Sequence, residues 1–194
     1  MSELRVDTIN EATTDTGTTI SKLTNPNEPF RNLLINGDVK VAQRATSTSS
    51  ITGNGYHTVD RMNSIISSQG TWTQSQSTDV PTGQGFAKSL KMDCTTADAS
   101  PAASDIIRIQ QAIEGQNLQH LKYGTSSAKS TTLSFWVKSN KTGTYVIQLL
   151  NGAVSRQVGK TYTISSADTW EKKTITFPGD TSTALDNDNT AELY

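Results

Sequence analysis

The chain has 194 residues, enough for one domain or for one domain with an arm. Its hydrophobic share of 33% and charged share of 18% fall below ordinary globular usage of roughly 45–50% and about 25%; Ser, Thr, Asn and Gln fill the gap, and such residues suit strand surfaces and turns better than helices. A formal net charge of -1 leaves no basic stripe to neutralise phosphates, which argues against nucleic acid and against a membrane surface as partners.

No apolar run approaches the ~20 residues of a membrane span. The start of the chain lacks the apolar core of a signal peptide, so synthesis in the cytoplasm is expected. A single cysteine, Cys94, excludes an internal disulfide framework.

In chain order, residues 1–29 read as an extended arm. Leu4-Arg-Val-Asp-Thr-Ile9 alternates briefly, residues 13–19 are a Thr-rich turn, and Ile20-Ser-Lys-Leu23 is a second short strand. Pro26 and Pro29 then end regular structure, and the boundary is set there. The arm buries too little apolar surface to offset its ordering entropy, so it is expected to be disordered or clamped by a partner.

Strand signals recur from Phe30 onward. Residues 32–41 are expected to form the first strand and residues 46–55 a Ser/Thr/Gly loop. Residues 58–66 and 70–75 read as strands, and residues 87–93 alternate as a half-buried strand. Residues 106–121 fit both periodicities; a strand to Ile113 followed by one helical turn at 117–121 is expected, because Gly115 interrupts a helix. Strands follow at 130–138, 144–150, 157–164 and 169–177, with Asn151-Gly152 as a hairpin signal. Ala191-Glu-Leu-Tyr194 looks like the start of another strand. This spacing indicates an all-β sandwich.

The chemistry-bearing residues are few. His57 and His120 show no spacing that implies catalysis, and Cys94, following an alternating strand with no cationic cluster nearby, reads as a buried thiol. No nucleophile elbow, phosphate loop, dinucleotide fingerprint or zinc spacing occurs. Asp60-Arg61 reads as a structural ion pair or loop anchor. Residues 186–189 match half of a calcium loop without its glycine or closing glutamate. Trp136, between Phe135 and Val137, reads as core, as does Trp170. Trp72 has polar neighbours and Tyr56 lies in a Gly-rich loop, so these two are the candidate carbohydrate contacts, because exposed rings stack on sugar faces.

Three sets of segments together resemble one family. They are Asn32-Leu-Leu-Ile-Asn-Gly-Asp38 with Ala42-Gln-Arg44 and Val59-Asp-Arg61; Ile109-Gln-Gln-Ala-Ile-Glu-Gly115 with Leu121-Lys-Tyr-Gly-Thr125 and Ser134-Phe-Trp-Val-Lys-Ser139; and Tyr162-Thr-Ile164 with residues 169–180. They resemble the carbohydrate-binding-like jelly-roll modules of bacteriophage tail fibres and related virion proteins, over roughly residues 30–180.

The resemblance implies a non-enzymatic virion structural protein without a cofactor, made in the host bacterial cytoplasm. A jelly-roll domain at 30–194 would contact host-surface glycans, and residues 1–29 would attach it to other virion proteins or to sister chains, with a homotrimer expected. Leu4, Val6, Ile9, Ile20 and Leu23 are then the candidate attachment and oligomerisation residues. The alternatives are a capsid decoration protein and a carbohydrate-binding accessory module of a depolymerase.

Two departures from the family matter. Lys40 stands near Asn36 and Asp38 where the resemblance would place a calcium-holding glutamate, so no metal is expected. Family modules also finish with further strands after residues 180–189. The sandwich is therefore expected to be truncated at its C-terminus, completed by another chain or belonging to a longer protein.

Overall fold

The computed structural model describes residues 32–152 and 156–194. The proposed arm residues Leu4, Val6, Ile9, Ile20 and Leu23 lie outside them.

Eleven strands appear among the described residues: β1 (Ser47–Ile51), β2 (Asn63–Ser67), β3 (Thr71–Ser77), β4 (Ser89–Thr96), β5 (Ile106–Gln110), β6 (Ile113–Glu114), β7 (Thr131–Val137), β8 (Gly143–Asn151), β9 (Arg156–Ile164), β10 (Glu171–Phe177) and β11 (Ala191–Leu193). The only helical elements there are two 3-10 turns, Gly115–Asn117 and Gln119–Leu121. Every strand pair is antiparallel, and the sheets run β1-β3-β4, β2-β5, β7-β10 and β6-β11-β8-β9. The described residues are all-β, as the Thr-rich composition indicates.

Side-chain parity explains which residues go inside. In β7 and β10 the register pairs Leu133 with Ile175 and Phe135 with Lys173, and sets Phe177 against Thr131. These residues share one face, and Phe177 is buried. The Phe135 ring meets Tyr162 of β9 edge-on, with centroids 5.2 Å apart, and Tyr162 stacks on its cross-strand partner Tyr145. A second cluster holds Ile113, Leu118, Leu121, Tyr123, Leu185 and Leu193, with Leu33, Ala128 and Leu149 against it. Leu118, between the two 3-10 turns, and Leu121, at the end of the second, both enter this cluster.

Several expectations are corrected. Residues 32–41 form a turn-rich loop, not the first strand. Their apolar run reads as β, but Asn36 and Val39 take positive φ values of 56° and 60°, which a regular strand does not have. Asn36 tolerates this conformation, whereas the β-branched Val39 is strained there. Bonds from Val39 N to Asn36 O and from Gln76 Nε2 to Val39 O hold the strained turn. Residues 46–55 contain β1, where a loop is expected; Ser50 at φ 58° marks a register break against β3. Of residues 58–66, only the end is strand.

Trp136 and Trp170 are half-buried, not core. Adjacent strand residues point to opposite faces, so a strand that turns Phe135 inward turns Trp136 outward. Cys94 is exposed, because β4 is a sheet-edge strand whose last four residues face solvent. The strand expected to begin at Ala191 is β11, and it lies between β6 and β8 rather than at an edge.

Candidate functional site

Two of the three sets of segments that carry the resemblance meet in one junction. The Asn36 side chain donates to Val41 O at 2.8 Å and Asp60 O at 3.0 Å, and accepts from Val41 N at 3.0 Å. The Asp60 carboxylate accepts from Gln43 N and pairs with Arg44 at 3.6 Å. Arg61 donates to Ala112 O at 2.9 Å and pairs with Glu114 at 3.0 Å. Gln111 is buried and clamps Ile35 as a peptide would, accepting from Ile35 N at 2.7 Å and donating to Ile35 O at 2.8 Å.

Asp60 and Arg61 therefore do not pair with each other; each anchors a different segment. The Glu114 carboxyl is held below its ordinary value by its own backbone N–H first and by Arg61 second. Asp38 pairs with Lys40 at 2.9 Å, and that hydrogen bond holds it below the usual carboxylate range. Asn36 and Asp38, the oxygen donors considered for calcium, are thus engaged elsewhere. In the 186–189 loop, Asp188 accepts from Thr190 N and Oγ1, which lowers its pKa. Among the described residues, no three His, Cys, Asp or Glu side chains converge as a metal site.

The two proposed carbohydrate contacts have separate surroundings. Tyr56 is 41% exposed, and the Arg44 guanidinium lies 5.4 Å from its ring centroid. Trp72 is half-buried on β3, opposite Ile51 and Cys94, and its indole N–H is taken by Gln69 O at 2.6 Å. His57 packs its ring near Gly55. His120 lies elsewhere, within the second 3-10 turn.

Two surfaces were not singled out from sequence. On the outward face of β7-β10, Trp136 stands opposite Lys172, beside the exposed residues Thr132, Ser134, Thr174 and Thr176. The Lys138 ammonium lies 5.6 Å from the centre of the Trp170 ring, and Asp79 holds both Lys138 and the Trp170 indole N–H. The signal available beforehand was parity: with Phe135 inward, Trp136 has to face out.

The second surface is a cleft of about 220 Å³. Its floor is the face of β8, β9 and β11 that carries Leu149, Asn151, Arg156, Val158 and Leu193. Its walls are Tyr123 and residues 178–182. Gly179 lets that wall sit close to the chain before β7: a Cβ there would come 2.7 Å from the Ala128 carbonyl carbon and the Lys129 oxygen.

Arg156 Nε pairs with Asp180 Oδ2 at 3.3 Å, and Asp180 Oδ1 accepts from Ser182 N at 2.8 Å. Asn151 is 5% exposed, yet neither end of its carboxamide has a hydrogen-bond partner. The Tyr123 hydroxyl also lacks one. Burial pushes its pKa up, with a smaller opposing influence from Thr131 and a further rise from Asp180. It therefore stays a neutral donor at pH 7.

Comparison of the chain with protein-family models, with curated proteins and with solved structures finds no match.

Proposed function

We propose that this chain is a non-enzymatic structural protein of a tailed-phage virion, a tail fibre or similar appendage. Residues 1–29 attach it to the particle, and residues 30–194 form a jelly-roll that contacts host-surface glycans. The observation that carries this reading is the junction. Asn36, Asp60, Arg61, Gln111 and Glu114 come from the segments on which the family resemblance rests, and they spend their polar groups on one another's backbones and side chains. Residues used in this way belong to a scaffold rather than to a catalytic centre.

On this reading the exposed ring of Tyr56 is the leading sugar contact, with Trp72 as the second. Each contact is weak, and linked copies in a homotrimer raise the effective concentration. Antibody raised against residues 32–194 is expected to label appendages on purified particles of the phage encoding this chain. Deleting residues 1–29 should abolish that labelling while leaving the β-sheet spectrum of the remainder intact. Particles that lack the protein, or normal incorporation of the truncated form, overturn the proposal.

A further inference from the structure

β5 is the open edge of a two-stranded sheet. β2 pairs it on one side, and among the described residues no strand pairs it on the other. Ile106, Ile107 and Ile109 are 39%, 40% and 42% exposed there. Ile107 and Ile109 stand opposite Ile66 and Ser64, which are buried. The two isoleucines thus extend the inward face of the sheet past the point where this chain covers it. Free edges are ordinarily blunted by charge or by a bulge. β4 carries Lys91 and Asp93, β9 carries Lys160, and β1 breaks its register. β5 has Arg108 alone among its isoleucines.

The direction of the backbone groups follows from the far side of β2. Gly55 N donates to Ser64 O at 2.9 Å and Ser64 N to Gly55 O at 3.0 Å, so the N–H and C=O of Ser64 point away from β5. Alternation turns those of Asn63, Ile65 and Ser67 toward β5, where they meet Gln110, Arg108 and Ile106. The N–H and C=O of Ile107 and Ile109 are left facing the open edge.

These features select an occupant. An added strand must offer a donor and an acceptor opposite Ile107, and an apolar side chain on the inward face. A second β5, run antiparallel about a two-fold axis at Ile107, supplies both. Ile107 of each copy exchanges both bonds with the other, and the Ile109 N–H of each reaches the Asp105 carbonyl of the other. Ile107 then faces Ile107 on the inward side, and Arg108 faces Ile106 on the outward side. An axis at Arg108 would set two arginines directly opposite, a destabilising like-charge pair. Gly55 already engages the far side of β2, so the pairing closes at two copies.

We propose that the open edge of β5 is a self-association interface, where two copies of this chain pair antiparallel about Ile107. It does not rest on the virion reading; if residues 1–29 also join chains in threes, the pairing doubles that number.

The test is sedimentation equilibrium of the full-length protein at about 1–200 µM, a range suited to a small interface. An even number of 20.9 kDa chains is expected at the upper end. Ile106→Glu sets a carboxylate opposite Arg108 of the second copy and should tighten the association about three- to tenfold; Ile106→Lys should weaken it about as much. In a Cys94→Ser background, Ile107→Cys should cross-link to a dimer under oxidised glutathione, because the Cα atoms of such a pair lie about 5.5 Å apart. Arg108→Cys should not, since this register sets it opposite Ile106.

Three results overturn the inference: an odd number of chains, one included, throughout that range; equal association constants for the two Ile106 variants; or no cross-link at position 107. Labelling of particles enters none of these readouts, so failure of the virion reading and failure of this interface are distinguishable.

Discussion

Gln74 is a glutamine with a fully buried side chain at the centre of β3, and replacing it tests whether a polar core organises this part of the fold. Its Oε1 accepts from Thr58 N at 3.0 Å and from Thr58 Oγ1 at 2.7 Å, and its Nε2 donates to Ser64 Oγ at 2.8 Å. Gln74→Met keeps the length of the side chain and removes these three bonds, together with the weak one from Nε2 to Met92 Sδ. At roughly 1 kcal/mol each the three account for about 3 kcal/mol. The Thr58 backbone N–H is then buried without a partner, which adds about 1–3 kcal/mol. A loss of about 4–6 kcal/mol follows, a large part of the roughly 5–15 kcal/mol that holds a typical domain together.

The assay is urea unfolding followed by circular dichroism. With a slope of about 2 kcal/mol per molar, the midpoint should fall by about 2–3 M. Thr58→Val removes one of the same bonds, so the double variant should lose about 1 kcal/mol less than the sum of the singles. A midpoint shift below about 0.5 M for Gln74→Met, or strict additivity, refutes the argument.

Two further outcomes are expected. Glu114 is held below the ordinary glutamate value of 4.5 in the folded chain. Its contribution to stability is therefore present above that value and is lost as pH falls through the lower folded value. The urea-midpoint gap between wild type and Glu114→Gln should thus shrink from about pH 6 to about pH 3, and a constant gap contradicts the linkage. Trp136→Ala should cost roughly 1–2 kcal/mol in the same assay, against about 3–5 for a fully buried aromatic, because its face is the outward one; a loss of about 4 kcal/mol or more places Trp136 in the core.

The strands from β7 to β10 were legible because Leu133, Phe135, Ile147, Leu149, Ile175 and Phe177 alternate with polar residues and turn residues separate the runs. The hairpin signal at Asn151-Gly152 was sound: β8 and β9 pair from Gly143 with Ile164 to Asn151 with Arg156. Legibility failed where hydrogen bonds outrank hydrophobic pattern. Leu33-Leu34-Ile35 looks like strand, yet the Asn36 side chain and the left-handed backbone of Val39 make it a loop. Ser47–Ile51 looks like loop, yet it pairs with β3 through a bulge. Gln74 and Gln111 gave no sign of burial, since the partners that satisfy them lie 16 and 76 residues away. The cleft was equally hidden: Asn151 announces a turn, and only the register of β8 with β9 and β11 sets it beside Arg156 and Leu193.

These two kinds of residue divide the work of the molecule. Asn36, Asp60, Arg61, Gln111 and Glu114 are spent on internal bonds, so they identify the scaffold and carry little information about a ligand. Tyr56 and the outward face with Trp136 and Trp170 lie on the surface. Substitution in the junction should lower stability and any binding together, because binding requires the folded sheet. Substitution of Tyr56 should change binding with little change in unfolding midpoint, since surface changes usually stay within about 0.5 kcal/mol. Recognition can then diverge on the surface groups while the junction keeps the sheets in register.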